Sequence, residues 1–265
     1  MSRLAYLRAL EIDVWERRDL PKAEAQEPEP AQSLAAPRQT QERPEPKTVV
    51  RAPAAPAVPL AVADAQSDAL TAATAVMNWD VLENTVRSCT RCVLHATRTQ
   101  TVFGVGNRMA QWMVIGEAPG ADEDRQGEPF VGRAGQLLNV MLKAMGLARE
   151  QVFIANILKS RPPGNRDPRP EEVRACIPYL YRQIELVNPR LILCVGRIAA
   201  QTLLETDQTI GKLRGKVHSL ANGRLMIVTY HPAYLLRSPA EKRKSWADLL
   251  LALQTFEKLA QPASP

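Results

Sequence analysis

Four short apolar runs alternate with helical patterns in the carboxyl-terminal two thirds of the chain. The runs occupy residues 112–115, 152–157, 191–195 and 225–228, and amphipathic spacing predicts helices over 80–95, 137–145, 170–187, 197–204 and 240–259. Strands that alternate with helices along the chain favour a mainly parallel sheet covered by helices on both faces. The pattern therefore predicts an α/β protein with three α/β/α layers and a four-stranded, mainly parallel sheet.

A proline-rich stretch separates this pattern from the amino terminus. Residues 21–63 contain nine prolines and no aromatic residue. Such a composition cannot bury enough apolar surface to offset the entropy of ordering the chain. We therefore expect a short amphipathic segment at 1–20, a disordered linker at 21–79 and a folded domain at 80–265.

Charge is distributed unevenly between these parts. The chain has a net charge of +6, of which residues 1–80 contribute −3 and residues 81–265 contribute +9. A basic domain of this kind suits a polyanionic partner such as nucleic acid. The first 30 residues lack the apolar core of a signal peptide, and no apolar run has the ~20 residues of a membrane span. We expect a cytoplasmic monomer without membrane contact, in which clustered cysteines are more often metal ligands than disulfides.

Two polar turns follow apolar runs and carry candidate chemistry. Residues 116–120 read GEAPG after the first run, and residues 231–237 read HPAYLLR just after the fourth. In an open α/β sheet, the turns beyond the carboxyl ends of the strands form the ligand crevice. The Glu117 carboxylate and the His231 imidazole are therefore expected to face a common substrate.

Four motifs in this order resemble the family 4 uracil-DNA glycosylases, the iron–sulfur members of the uracil-DNA glycosylase superfamily. The motifs are GEAPG with the acidic pair at 123–124, PFVGRAG at 129–135, NILKSRPPGNR at 156–166 and HPAYLLR at 231–237. The resemblance spans residues 85–255 and does not extend to residues 1–80. It implies a hydrolase of base excision repair that flips uracil out of single- or double-stranded DNA and leaves an abasic site.

The resemblance assigns a part in this reaction to several residues. Asn156 would accept a hydrogen bond from uracil N3–H and donate one to O4, because a single amide offers both functions. Phe130 would stack on the flipped base, and His231 would donate to O2 as negative charge develops there. Gly116 and Ala118 would complete the base pocket.

The carboxylate that positions the attacking water is less clearly marked. Ala118 stands where the family 1 enzymes have their water-activating aspartate. Either Glu117 or Glu123 would therefore supply the carboxylate, with Glu117 favoured, or the reaction would rely on substrate charge and the other contacts.

Contacts to DNA are expected from two of the motifs. An apolar wedge with a neighbouring cation recurs where proteins unstack a duplex, so Leu235, Leu236 and Arg237 would fill the gap left by the extruded nucleotide. Cations in the loop after the second strand would contact phosphates; these are Lys159, Arg161, Arg166 and Arg169.

The cysteines indicate a metal site with an unusual ligand set. Cys89 and Cys92 form a C-x-x-C half-site, and the resemblance makes Cys176 a further ligand of a structural [4Fe-4S] cluster. The family's remaining ligand precedes Arg-Pro-Pro, where this chain has Ser160. The spacing from Cys176 would also accept Cys194 as a ligand, but the family's strand order places Cys194 across the sheet from a cluster near Ser160. We therefore expect three cysteine ligands, with Ser160 or an unidentified group as the fourth; the cluster could be labile or absent, and zinc remains an option.

Other interpretations remain open at this point. One is a uracil-binding relative that becomes covalently trapped on its product, although its histidine-bearing insertion has no counterpart in residues 160–170. Another is a non-catalytic nucleic-acid-binding module with a metal knuckle. Residues 1–20 weakly resemble the start of the psi subunit of the bacterial clamp loader, so a replisome contact is a further hypothesis.

Overall fold

The computed structural model describes residues 69–260, so the amphipathic segment at 1–20 and most of the predicted linker lie outside the described residues. Residues 69–75 are helical, and Leu70 is buried in the core. The packed part of the chain therefore begins before residue 80, where the domain was expected to start.

A six-stranded sheet forms the centre of the described region. Its strands are β1 (Val105–Gly106), β2 (Trp112–Gly116), β3 (Phe153–Asn156), β4 (Leu191–Val195), β5 (Val217–Ser219) and β6 (Leu225–Thr229), in the order β1-β3-β2-β4-β6-β5. β3, β2, β4 and β6 are parallel, and β1 and β5 are antiparallel edge strands. The four predicted strands are confirmed, whereas the edge strands, of two and three residues, are too short to give a periodic signal.

Helices cover both faces of the sheet, as predicted. They are α1 (Trp79–Arg87), α2 (Ala121–Gln126), α3 (Arg133–Ala144), α4 (Pro170–Val187), α5 (Arg197–Leu203), α6 (Ile210–Leu213), α7 (Pro232–Arg237) and α8 (Lys242–Ala260). One apolar cluster joins one sheet face to α1, α4 and α5, and a second joins the other face to α3 and α8. Within residues 69–260, no helix is long and apolar enough to cross a bilayer.

The loop between β3 and α4 is tied to the first turn of that helix. Glu172 has a fully buried side chain and accepts hydrogen bonds from the Arg166 guanidinium and from the Arg169 backbone N–H at 2.8 Å. Burial alone would raise the pKa of this carboxyl, but the bonds from the two arginines hold it below its usual value. The basic loop is therefore anchored to the fold.

Strand register brings the polar turns together at one edge of the sheet. Gly116 at the end of β2 pairs with Asn156 at the end of β3. Thr229 at the end of β6 pairs with Val195 at the end of β4. Because all four strands run in the same direction, the turns that follow them open into the same crevice.

Candidate active site

A cavity of about 690 Å³ lies at the carboxyl edge of the parallel strands. Its walls come from the turn after β2, the loop before α3, the end of β3 and the turn after β6. Among the predicted base-pocket and catalytic residues, those that line it are Glu117, Ala118, Glu123, Phe130, Asn156 and His231. The fold thus assembles residues that are up to 114 positions apart in the sequence.

An unpaired acceptor occupies the bottom of this cavity. Asn156 is only 2% exposed, and its buried side-chain oxygen Oδ1 has no hydrogen-bond partner in the described part of the chain. A Cβ atom added to Gly116 would lie 2.5 Å from Oδ1 and 2.6 Å from Cζ of Phe130. A buried acceptor without a donor costs about 1–3 kcal/mol. The absence of a side chain at Gly116 therefore allows the Asn156 amide and the Phe130 ring to lie directly against β2.

Phe130 lines the cavity in a backbone conformation that is unfavourable for its residue type. Its φ of 55° lies in the left-handed region, which costs a non-glycine residue roughly 1–2 kcal/mol. Arg149 donates to the carbonyl oxygens of Pro129 (2.6 Å) and Phe130 (3.3 Å). The Glu123 carboxylate accepts from the two backbone N–H groups of residues 131–132 at 2.9 and 3.0 Å. These bonds stabilise the ring position from both sides.

His231 is arranged as a neutral hydrogen-bond donor. It precedes α7, and its Nδ1 accepts the backbone N–H of Ala233 at 3.1 Å. The proton of the neutral ring must then be on Nε2. Burial, together with the positive charge of Arg237, lowers the pKa of His231 to about 4. Its ring stacks near Phe130, with centroids 5.6 Å apart.

The two candidate carboxylates differ in their surroundings. Besides its bonds to residues 131–132, Glu123 accepts the backbone N–H of Gly120 at 3.1 Å, so it organises the loops of the site. Burial and the neighbouring Asp167 raise the pKa of Glu117 to about 7, while Arg197 opposes this shift. Glu117 is therefore close to half-ionised at neutral pH, as suits a group that exchanges a proton or orients water.

Three cysteines come together beside α4. Cys89, Cys92 and Cys176 interact electrostatically with one another. The Tyr179 hydroxyl donates to Sγ of Cys89 at 3.3 Å, and the Lys159 backbone N–H donates to Sγ of Cys176 at 3.1 Å. Burial raises the pKa of the Cys176 thiol to about 12.

Ser160 and Cys194 are placed differently relative to these thiols. The Ser160 hydroxyl accepts from Arg98 at 3.1 Å, and Arg98 also acts electrostatically on Cys92. Cys194 is fully buried in β4, separated from β3 by β2, with Ile115 paired to it. Within residues 69–260, no three His, Cys, Asp or Glu side chains surround one point as ligands of a single ion. A cluster of four irons is larger than one ion, and its ligand sulfurs stand further apart.

Two of the residues expected to contact DNA are buried. Lys159 is 2% exposed and Leu235 is 1% exposed, so the predictions of a phosphate contact and of a wedge at these positions are wrong. Lys159 turns into the core, and Leu235 packs in the apolar cluster that includes α3 and α8. Leu236 is half-buried and Arg237 is exposed at the rim of the cavity.

The side chains of the other cations in this loop are at least partly exposed to solvent. Arg161 is half-buried, with its Nε bonded to Asn165, and Arg169 is exposed. Arg166 is also half-buried and lines the cavity while its guanidinium is engaged by Glu172. No sequence motif pointed to Arg149, because it acts on a loop about 20 residues away along the chain.

Comparison with known proteins agrees with this arrangement. The family model of the uracil DNA glycosylase superfamily matches residues 103–250. The chain is 47% identical over 176 residues to the type-4 uracil-DNA glycosylase of Archaeoglobus fulgidus. The aligned region covers 64% of this chain and 88% of the relative. Type-4 enzymes of Pyrobaculum aerophilum and Thermotoga maritima are 42% and 43% identical, over 66% and 68% of this chain and 93% and 91% of the relatives.

A methyl group at Gly116 should disrupt the pocket by displacing the two side chains that lie against it. In Gly116→Ala, the added methyl group would meet the Asn156 amide and the Phe130 ring. We expect at least a 100-fold loss of kcat/KM, measured on the substrate proposed below, because Oδ1 and the ring could no longer hold their positions opposite the base. The control is Gly211→Ala, where nothing lies within 4 Å of the new Cβ. Equal activity of the two variants would contradict the assigned position of the base.

The raised pKa of Glu117 should make stability depend on pH. The folded state holds the Glu117 proton more tightly than the unfolded state does. The resulting contribution to the free energy of unfolding is fully present below pH 4.5 and is lost as pH rises through about 7. Glu117→Gln removes this loss, so its stability relative to wild type should rise by about 1–3 kcal/mol between pH 5 and pH 8.5. Urea unfolding across this range measures the difference, with exposed Glu257→Gln as the control. A Glu117→Gln difference that stays constant with pH would refute the shift.

Proposed function

Because the chain belongs to the uracil-DNA glycosylase superfamily, and within it to the type-4 enzymes, we propose that it excises uracil from DNA in base excision repair. It hydrolyses the bond between uracil N1 and deoxyribose C1′, and leaves an abasic site. The unpaired Oδ1 of Asn156 in the cavity is the observation that carries this proposal.

Asn156 distinguishes uracil from cytosine. Its Oδ1 accepts the N3–H of uracil, and its amide NH₂ donates to O4. Cytosine presents an unprotonated N3 and an exocyclic amine, so both polar groups of Asn156 would face the wrong partner. A site built to hydrogen-bond one ligand rejects an analogue strongly when its buried groups are left unpaired. Phe130 stacks on the base, and Gly116 allows the Phe130 ring and the Asn156 amide to pack against the end of β2.

Bond cleavage places negative charge on uracil O2 and positive charge on the sugar. The Nε2–H of His231 donates to O2 as that charge develops. The lowered pKa of His231 keeps the ring neutral at pH 7, and Nδ1 is already engaged by the N–H of Ala233. A donor that is fixed before the reaction needs no reorganisation, and such donors contribute about 10²–10³-fold to kcat.

Glu117 positions the water that attacks C1′. Its ionised form also stabilises the positive sugar. The Glu123 carboxylate already accepts three backbone N–H groups from the neighbouring loops. Glu117 is therefore the favoured carboxylate for the contact with water. Ala118 and Gly120 line the same wall, and they leave room beside Glu117 for the water and the sugar.

DNA lies over the rim of the cavity. Leu236 enters the gap left by the flipped nucleotide, because Leu235 is buried and cannot do so. Arg237 and the loop cations Arg161, Arg166 and Arg169 contact phosphates, in accord with the +9 net charge of residues 81–265. Phosphate contacts of this kind supply affinity and register, while base selection remains with the pocket.

Cys89, Cys92 and Cys176 would hold a [4Fe-4S] cluster, with Ser160 at the fourth position. The mutual proximity of the thiols and the N–H and O–H donors to their sulfurs support this assignment, since iron–sulfur clusters carry negative charge and accept such bonds. The cluster would supply structural cross-linking between the segment after α1 and helix α4. Cys194 takes no part.

A gel assay on uracil-containing oligonucleotides tests the activity and the donor role of His231. Wild type should release uracil and leave alkali-labile sites, whereas cytosine-containing strands should stay intact. His231→Asn keeps an oxygen that can accept the Ala233 N–H but removes the Nε2–H donor. We expect a 10²–10³-fold loss in kcat with unchanged DNA affinity. Binding of uracil-containing DNA without cleavage by wild type would indicate a binding module, and a covalent adduct would indicate a trapped relative.

A further inference from the structure

The cavity extends beyond the residues assigned to uracil. Its volume of about 690 Å³ falls within the range of pockets that hold drug-sized molecules, and a single pyrimidine ring is much smaller than such a molecule. Tyr230 and Tyr234 also line the cavity, and neither is assigned to the uracil pocket. The additional space and the two rings indicate that more than the flipped base enters here.

The Tyr230 ring is held in place by its neighbours. It comes directly after β6, and the Arg214 guanidinium lies 5.3 Å from its centroid. Arg214 is fixed in turn, because its Nε and Nη2 donate to the two carboxylate oxygens of the fully buried Asp248 at 3.0 and 2.9 Å. The Tyr230 hydroxyl donates to the Glu241 carboxylate. The contact with a cation and the bonded hydroxyl leave this ring little freedom to turn.

Tyr234 packs on this fixed ring. The two ring centroids are 5.0 Å apart, and the ring planes are inclined by 42°. Tyr234 belongs to α7 and is half-buried, so part of its ring is packed and part remains accessible in the cavity. A ring that is already held in this way offers a flat apolar surface and loses little conformational entropy when a ligand stacks on it.

A cation and the proposed uracil donor lie close to Tyr234 along the chain. Arg237 follows Tyr234 by three positions in α7, and residues at that spacing are neighbours on a helix surface. Arg237 is exposed, and it also lines the cavity. His231 precedes Tyr234 by three positions and lines the cavity as well. Proteins bind single-stranded nucleic acid with this combination, because bases stack on the ring and phosphates pair with the cation.

We propose that Tyr234 is a second base-binding position, which stacks on a base adjacent to the flipped uracil in single-stranded DNA. In a single strand the adjacent base is free to leave its stack, whereas in a duplex it is paired as well as stacked. The identity of the adjacent base should matter little, because every base has a π-face. This inference rests on the proposed function, since the ring contributes only when uracil occupies the pocket beside it.

A thermodynamic cycle between the ring and the adjacent base tests this proposal. Tyr234→Leu removes the ring and keeps an apolar side chain, and Tyr234→Phe keeps the ring. Phe256→Leu is the matched control, because Phe256 is also half-buried and stacks on Trp112, away from the cavity.

Each protein is titrated with oligonucleotides that carry 2′-fluoro-deoxyuridine, because the fluorine disfavours the cationic sugar and so prevents cleavage. One single strand has ordinary bases on both sides of the analogue. Two further strands have a tetrahydrofuran abasic residue at the 5′ or at the 3′ neighbour. A duplex with ordinary bases completes the set.

Tyr234→Leu should bind the ordinary single strand roughly 5- to 100-fold more weakly than wild type, the range for a base stacked on an aromatic side chain. Wild type should lose a similar factor when one of the two neighbouring bases is removed, whereas Tyr234→Leu should lose less than about 2-fold on that strand. On the duplex, Tyr234→Leu should also lose less than about 2-fold. Tyr234→Phe and Phe256→Leu should match wild type throughout.

Two results would overturn the proposal. One is an abasic loss that is the same in wild type and in Tyr234→Leu at both neighbouring positions, because the ring and the base would then act independently. The other is a loss in Tyr234→Leu that is the same on the single strand and on the duplex.

A measurement on wild type alone covers the case in which Tyr234→Leu does not fold. 2-Aminopurine fluoresces weakly when it is stacked, and flipping the uracil analogue removes its stacking partner. Binding should therefore brighten 2-aminopurine on one side of the analogue and leave it quenched on the side where Tyr234 replaces the lost partner. Brightening on both sides would contradict the stacking position.

Failure of the proposed function would look different from failure of this position. Wild type that binds 2′-fluoro-deoxyuridine strands no better than matched 2′-fluoro-deoxycytidine strands contradicts uracil selection in the pocket. Wild type that prefers uracil, but depends on the adjacent base no more than Tyr234→Leu does, contradicts only the stacking on Tyr234.

Discussion

A buried oxygen without a donor is the constraint on which this site depends. Proteins pair nearly all such atoms, because each unpaired one costs about 1–3 kcal/mol. Among the described residues, Oδ1 of Asn156 has no hydrogen-bond partner at the end of β3, where it lies against Gly116. No group of the described residues donates to this atom, and a base with a correctly placed N–H can. Selectivity against cytosine then follows, because its unprotonated N3 offers no donor to this oxygen.

Much of the surrounding structure fixes this atom and the groups opposite it. Strand pairing sets Gly116 beside Asn156, and bonds from Glu123 and Arg149 hold Phe130 in a left-handed conformation. His231 is held as a neutral donor by the helix that it precedes. These contacts use backbone N–H and carbonyl groups, so they hold the positions of the loops without occupying the cavity. The site is therefore largely formed before the substrate arrives.

The sequence predicted the elements with long apolar runs and the residues that follow them. The four parallel strands were found because each contains four or more consecutive apolar residues, and the pocket residues because parallel strands bring their carboxyl ends to one edge. Lys159 and Leu235 were misassigned because a motif identifies residue types but not the direction of each side chain. In α7, Pro232 and Leu235 share the buried face, Leu236 is half-buried and Arg237 is exposed. Arg149 could not be found, since its contacts depend on the folded loop.

Calorimetric titration of free bases tests the central claim most directly, because it isolates the pocket from DNA contacts and from catalysis. The N3–H of uracil can donate to Oδ1 of Asn156, which has no donor among the described residues. In 3-methyluracil, a methyl group replaces that hydrogen and the molecule is otherwise the same. We predict that uracil binds to the wild-type protein, and that 3-methyluracil and cytosine bind at least 100-fold more weakly. Equal affinity for uracil and 3-methyluracil would contradict the account.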